Sequence, residues 1–296
     1  MVAVTGASGK TGSAVTGLLL ERGMKVRVIG RSSERLKQFR DKGAEIAVGD
    51  QGNAAFLTRS FTNADSVYLL IPPRVDSPDI LAYYNLMGDT AVVAIRDSGI
   101  KRVVFLSSLG AELDRGTGPV KGLHDVEQKL HRISGVDIII LRPGYFMENT
   151  LGSIPIIKQK GINGGSISAD RKIALIATRD IAEAAAILLG EGSSNAVRIR
   201  ELFGDALTFA EMTRLIGEAV GMPDLPYVQF SEEEAIGAFM QIGFSKSVAD
   251  SFVEMGRSLD DGRIRPAGID LQHPNTPTRF AQFASEIFKP AFESSL

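Results

Sequence analysis

Val2-Ala3-Val4-Thr5-Gly6-Ala7-Ser8-Gly9-Lys10-Thr11-Gly12 stands at the head of the chain, and its reading decides the fold. A short apolar run ends in Thr5, and three glycines follow as Gly-x-x-Gly-x-x-Gly. Ser13 to Arg22 then reads as a helix with Ala14, Val15, Leu18 and Leu19 on its apolar side. Strand, glycine turn and helix is the context in which a dinucleotide fingerprint counts. One glycine makes the tight turn, one lets the backbone approach a pyrophosphate, and one lets the helix pack close to the strand. The free N–H groups and dipole of the helix start favour the phosphate charge. Gly9-Lys10-Thr11 also looks like the end of a P-loop. That motif needs a Gly separated by four residues from its Gly-Lys pair, where this chain has Val4 with Thr5 beside it, and the loop is too short for a cradle.

Working outward, Met24 to Gly30 alternates as a second strand and ends at Arg31-Ser32-Ser33. The residue at this strand tip reads the adenosine ribose in a dinucleotide fold. An acidic residue there would accept from the free hydroxyls of NAD. A guanidinium beside hydroxyls suits a 2′-phosphate, so NADP(H) is preferred and NAD(H) is the alternative. The rival reading of Arg31 is a solvated residue ahead of a helix from Glu34 to Lys42. Ala44 to Val48 is a third strand ending in Gly49-Asp50-Gln51. Asp50 either accepts from the adenine amino group or caps a helix from Ala54 to Ser60. A fourth strand, Ser66 to Ile71, stops at Pro72-Pro73. A helix from Ile80 to Ser98 leads to a fifth strand, Arg102 to Leu106, which ends in Ser107-Ser108. A helix from Pro119 to Ser134 leads to a sixth strand, Asp137 to Leu141.

Repeated strand–helix alternation with short turns predicts an α/β fold with a doubly wound parallel sheet of the Rossmann type. After residue 150 the texture changes. Ile154 to Ser168 reads as loop and short strands. Thr178 caps a helix from Arg179 to Leu189, and Ala196 to Leu202 returns to the sheet. Capping boxes at Thr208–Glu211 and Ser231–Glu234 start helices, with more from Ser247 to Leu259 and Thr278 to Phe288. The expected division is a dinucleotide-binding domain over 1–150, to which about 178–204 returns. A smaller, mostly helical substrate-side lobe comprises 151–177 and 205–296.

Composition narrows the class. The 296 residues carry a net charge of only −2 with no block of like charge, which argues against direct nucleic-acid binding. Without cysteine there is no thiolate nucleophile or thiolate metal site. No apolar run is long enough to span a bilayer. The chain begins with a strand rather than a leader, so a cytoplasmic protein is expected.

The reactive end of the cleft is expected at Ser107, Ser108, His124 and the loop from Pro143 to Asn149. Hydride transfer is the cofactor's own chemistry, and the protein must supply orientation and a proton donor. His124 fits that role, against a half-exposed helix histidine as the plain alternative. The Tyr145 phenol is a second donor, against an aromatic that simply lines the pocket. His124, Glu127, Gln128 and His131 fall at helical spacing on one face. The spacing of seven residues between the two histidines is too long for them to share one ion easily, and no metal is expected.

Thr5-Gly6-Ala7-Ser8-Gly9-Lys10-Thr11-Gly12, Arg31, Pro72-Pro73, His124 and the run Leu141-Arg-Pro-Gly-Tyr-Phe-Met-Glu-Asn149 resemble the NmrA-like family of atypical short-chain dehydrogenase/reductases. The resemblance spans nearly the whole chain, and the 142–149 run is its most specific part. It implies an NAD(P)-binding Rossmann domain with a small substrate lobe. Members include quinone oxidoreductases, azo-dye reductases, ergot-alkaloid reductases and regulators that bind the dinucleotide without turning it over. Typical short-chain reductases carry Tyr-x-x-x-Lys on the helix after the fifth strand. Here that helix reads Lys121-Gly-Leu-His124-Asp-Val-Glu127-Gln-Lys129, and His124 is the substitute.

The expected cofactor positions are therefore Gly6, Ser8, Gly9, Lys10, Thr11, Gly12, Arg31, Ser32, Asp50, Gln51, Ile71, Pro72, Pro73, Ser107, Ser108, Pro143 and Tyr145, with His124 and Tyr145 as catalytic candidates. The expected activity is NADPH-dependent reduction of a small electrophile such as a quinone, enone, imine or azo compound. The alternative is a non-catalytic NADP(H)-binding redox sensor acting through a protein partner. A sugar-nucleotide epimerase loses on the absent tyrosine and the small lobe. A protein partner or a homodimer stays open.

Overall fold

The computed structural model describes residues 1–191, 196–268 and 270–295. In chain order the first half runs β1 (Val2–Thr5), α1 (Lys10–Glu21), β2 (Val26–Gly30), α2 (Ser33–Arg40), β3 (Glu45–Val48), α3 (Ala54–Phe61), β4 (Ser66–Leu69), α4 (Ile80–Ser98), β5 (Arg102–Leu106), α5 (Val120–Leu130) and β6 (Asp137–Pro143). Then follow β7 (Tyr145–Phe146), a 3-10 stretch (Met147–Ser153), α6 (Ile154–Lys160), β8 (Asn163–Gly165), β9 (Lys172–Ile176), α7 (Thr178–Gly190) and β10 (Val197–Leu202). The chain closes with β11 (Asp205–Thr208), α8 (Phe209–Val220), β12 (Tyr227–Gln229), α9 (Glu232–Gln241), α10 (Lys246–Asp260), α11 (Phe280–Phe283), a π-helical turn (Ala284–Phe288) and α12 (Lys289–Ser294).

The main sheet has the order β10-β6-β5-β4-β1-β2-β3, and every pairing in it is parallel. Strands β5 and β6 are buried along their whole length. This is why they read as unbroken runs such as Ile138-Ile139-Ile140-Leu141. Their side chains alternate between two cores. Val103, Phe105, Ile138 and Ile140 pack towards Tyr84, Ala91 and Ile95 of α4. Val104, Leu106, Ile139 and Leu141 pack towards Val15 and Leu19 of α1 and Ile181 and Ala185 of α7. The doubly wound reading therefore holds, with the chain reversing direction between β1 and β4.

A third core belongs to the later elements and gathers Leu109, Met147, Ile157, Leu175, Phe203, Ile216, Phe280, Phe283 and Phe288. Each fully buried phenylalanine contributes about 1.5–3 kcal/mol of transfer free energy. Helices dominate here, joined by a small sheet β11-β9-β7 and a two-stranded pair β12-β8. The lobe is mostly helical, as expected, with these two small sheets added to it.

Several elements differ from expectation for local reasons. Helix α1 starts at Lys10, inside the glycine motif, not at Ser13. Ile154 to Lys160 is helical rather than loop, with Pro155 in its first turn, and buries Ile154 and Ile157. The last helical segment begins at Phe280 and continues through its π turn to Ser294. Thr178 is the first residue of α7, not its cap. The Glu148 carboxylate takes that role, accepting from the Thr178 N–H at 2.9 Å and its hydroxyl at 2.5 Å. Asn53, not Asp50, caps α3. The expected polar face of α5 is split: Glu127 is fully buried while Gln128 and His131 are exposed. No group among the described residues is arranged to hold a metal ion. No helix among them is long and apolar enough to cross a membrane.

Candidate active site

Thr5 ties the glycine loop to its neighbour. Its hydroxyl accepts the Leu70 N–H at 2.7 Å, joining the end of β1 to the segment that follows β4. Gly6 then turns with φ of +61°, where a Cβ would also fall 2.5 Å from Leu70 Cδ2. Gly12 sits in the first turns of α1, and a Cβ there would lie 2.3 Å from the Gly6 carbonyl oxygen. Only glycine lets the helix approach the loop this closely, which is why the helix begins within the motif. Helix α1 has Gly9 at its N-cap and no side chain capping it, so its first N–H groups are left for a ligand.

These residues form one wall of a cleft of about 270 Å³ at the carboxyl edge of the sheet. Gly6, Ser8, Gly9, Arg31, Arg35, Asp50, Gln51, Pro72 and Tyr83 line it. Arg31 and Arg35 join no ion pair among the described residues. Asp50 is fixed in its turn by the Gly52 N–H, which its carboxylate accepts at 2.9 Å. Gln51 donates to the Leu70 carbonyl at 3.4 Å, and the Tyr83 hydroxyl donates to the Pro72 carbonyl at 3.1 Å. The proline loop is thereby held against α4.

A second space lies towards the lobe. A chamber of about 640 Å³ is walled by Lys10, Tyr145, Glu148, Asn149, Phe209, Tyr227, Phe239, Phe252 and Met255. An apolar cavity of about 210 Å³ adjoins it and shares Tyr145, Asn149, Met255 and Leu259. Lys10 directly follows the cleft-lining Ser8 and Gly9, so one loop serves both spaces. Among the described residues its ammonium donates only to the Glu148 carbonyl, at 3.3 Å. Phe209 stands edge-on to Tyr145 at 6.0 Å and against Tyr227 at 5.7 Å. Burial pushes the Tyr145 phenol up to about 12, with the Asn149 side chain pulling the other way. At neutral pH Tyr145 is a proton donor. Burial raises Tyr227 as well, and its hydroxyl is committed to the Ile167 carbonyl at 2.6 Å.

A charged network lies beneath the cavity. Arg142 donates through Nη2 to one Glu127 oxygen at 2.6 Å and through Nε to the other at 3.1 Å. Ser107 donates to Glu127 at 2.5 Å, and Glu112 closes the group at 3.3 Å from Arg142. Arg142 and Glu127 are almost wholly buried. Burial opposes the Arg142 charge, but the Glu127 hydrogen bonds and charge overrule it and raise its pKa. The network anchors the ends of β5 and β6, from which Ser108 and the Pro143–Tyr145 turn enter the cavity.

Of the residues expected at the cofactor, Gly6, Ser8, Gly9, Arg31, Asp50, Gln51 and Pro72 line the cleft. Lys10 lines the chamber, and Ser108, Pro143 and Tyr145 line the cavity. Thr11, Gly12, Ser32, Ile71, Pro73, Ser107 and His124 line none of the three. Thr11, Gly12 and Ile71 are buried beneath the walls, and Pro73 is exposed outside them. The Ser32 hydroxyl caps α2 by accepting the Arg35 N–H at 3.3 Å. His124 holds its Nδ1 2.8 Å from the Ala111 carbonyl, which fixes the loop before α5. Sequence reasoning missed Arg35 and Tyr83. Arg35 lies in the first turn of α2, four residues beyond Arg31 at the tip of β2, and its closeness in sequence was the signal. Tyr83 reaches the cleft only through the packing of α4.

Three comparisons bear on this geometry. The model of the NmrA-like family matches residues 1–284. A (4-alkanoyl-5-oxo-2,5-dihydrofuran-3-yl)methyl phosphate reductase of Streptomyces griseus is 28% identical over 255 residues, covering 86% of this chain and 85% of that protein. An NAD(P)H azoreductase of Xenophilus azovorans is 26% identical, covering 86% of each. Among solved structures, an NADPH-dependent quinone oxidoreductase of Escherichia coli in complex with NADPH superposes with a TM-score of 0.79. It is 24% identical and covers 97% of this chain and 100% of its own, a likeness of fold.

Proposed function

The chain belongs to the NmrA-like family, and from that premise we propose that it is an NADPH-dependent reductase of a small electrophile, a quinone or azo compound foremost. The observation that carries the reading is the junction of two spaces on one loop. Gly6, Ser8 and Gly9 face a cleft with unpaired arginines, while Lys10 faces an aromatic chamber.

The residues present fit a phosphorylated dinucleotide. The uncapped start of α1 and the glycine contacts leave room and N–H donors for a pyrophosphate. Arg31 and Arg35 suit a 2′-phosphate, and Asp50 and Gln51 sit where the adenine end would lie. A reduced nicotinamide, when bound, supplies hydride. Phe209, Tyr227, Phe239 and Phe252 exclude water and present flat surfaces to a planar acceptor. Tyr145 keeps its proton and aims a hydrogen bond at the acceptor oxygen or nitrogen as charge develops there. A quinone needs one further proton to become a hydroquinone, and solvent can deliver it. That is why the missing Tyr-x-x-x-Lys does not bar the reaction. His124, tied to Ala111, orders the loop and is assigned no contact with the acceptor.

The test is dinucleotide consumption by the purified protein against neutral quinones, enones and azo dyes, with NADH alongside NADPH. Turnover that favours NADPH is expected. Tight NADPH binding with no acceptor reduced would overturn the reductase and leave a non-catalytic binder.

A further inference from the structure

We propose that the acceptor carries an acidic group, a carboxylate, sulfonate or phosphate, which Arg265 binds at the edge of the apolar cavity. The inference rests on the reductase reading and names the class of its substrate. The cavity walls are apolar, with Leu109, Val120, Phe146, Met255, Leu259 and Ile264 among them, and Arg265 is the one charged residue there. Ile264 is buried and its N–H donates to the Ser258 carbonyl at 3.0 Å, which sets the next residue at the cavity.

The charges nearby are accounted for. Arg257 is paired with Glu232, Arg263 with Asp261, and Arg142 with Glu127. Arg265 has no ion-pair partner among the described residues. The adjoining chamber has one carboxylate in its walls, Glu148, and both of its oxygens are spent on Thr178. Its cation, Lys10, meets only a backbone carbonyl. The joined spaces thus present apolar and aromatic walls, a Tyr145 donor, and positive charge with no counter-charge. A neutral acceptor gains nothing from Arg265. An acidic substituent placed there meets a planar fork of donors at the exposed edge of the cavity, which can take it in a bidentate, charge-assisted pair.

The test compares a naphthoquinone sulfonate with its unsubstituted parent, both with NADPH. The quantity read is the ratio of their kcat/KM values, in which intrinsic differences in reactivity cancel between protein variants. Arg265→Gln is expected to lower that ratio about tenfold or more, and Arg265→Lys to restore part of it. Calorimetric titration of the sulfonate onto protein saturated with NADP⁺ reads the same contact without turnover, and its affinity should fall in step. An unchanged ratio and an unchanged affinity in Arg265→Gln would overturn the proposal. If the wild type reduces neither quinone, the reductase reading fails and the titration alone decides the role of Arg265.

Discussion

The cleft and the chamber meet at Gly9 and Lys10, yet they are built in opposite ways. The cleft is made from strand tips and backbone: a glycine turn, an open helix start and two arginines four residues apart. Most of its parts lie within eighty residues of one another, on elements anchored in the sheet. The chamber is made from side chains drawn from positions as distant as Lys10, Tyr145, Phe209 and Phe252, held together by a separate core. The contrast shows how one fold can keep a constant cofactor grip while its acceptor changes. The grip depends on backbone geometry, and the acceptor site depends on side chains of the lobe.

The largest expected effect strikes the charged network beneath the apolar cavity. Glu127→Ala leaves the Arg142 guanidinium buried and unpaired. It should cost about 3–5 kcal/mol of stability in urea unfolding. A loss below about 1 kcal/mol would show that Arg142 does not depend on Glu127 for its burial. Next comes a change confined to the cleft. Arg31→Ala should weaken NADPH binding about tenfold to a hundredfold while leaving NADH nearly unchanged, read by titration. Equal weakening of both nucleotides would remove the 2′-phosphate assignment. A smaller effect separates the chamber. Tyr145→Phe should lower turnover about tenfold without moving NADPH affinity, since one hydrogen bond to developing charge is lost. His124→Ala should lower it less, and the reverse order would exchange their roles.

The smallest effect is one of pH. The Tyr145 phenol titrates near 12 in the folded protein, above the ordinary value of 10.0. Below pH 10 both folded and unfolded chains keep the proton, so the group adds no pH dependence. Between about 10 and 12 the unfolded chain ionises first, and stability is lost as pH rises. The stability difference between wild type and Tyr145→Phe should therefore change only in that window, as read by unfolding at graded pH. A change already present near neutral pH would mean that the phenol is not buried against Phe209.

The same contrast governs what could be read from the chain. The strand–glycine–helix order, the buried runs of β5 and β6, and Arg31 at a strand tip are local patterns with local causes, so they are legible in sequence. Even there, the start of α1 at Lys10 was hidden, because Gly12 is a poor helix former until the Gly6 carbonyl packs against it. Glu127 looked like part of a solvated face because its partner lies on β6. Thr178 looked like a cap because Glu148, which caps in its place, comes from thirty residues earlier. The chamber was illegible for one reason throughout: Phe209, Tyr227, Phe239 and Phe252 have no periodic relation to Tyr145, and only the packing of the lobe brings them there.

The most direct test of the junction between cleft and chamber is a single turnover without oxygen. The protein is mixed with equimolar NADPH and a quinone, and NADP⁺ and hydroquinone are both quantified. The expected result is one hydroquinone formed per NADPH consumed, strongly slowed by Arg31→Ala at a nucleotide concentration that only just saturates the wild type. NADPH that binds and stays reduced beside a bound quinone would contradict the reductase.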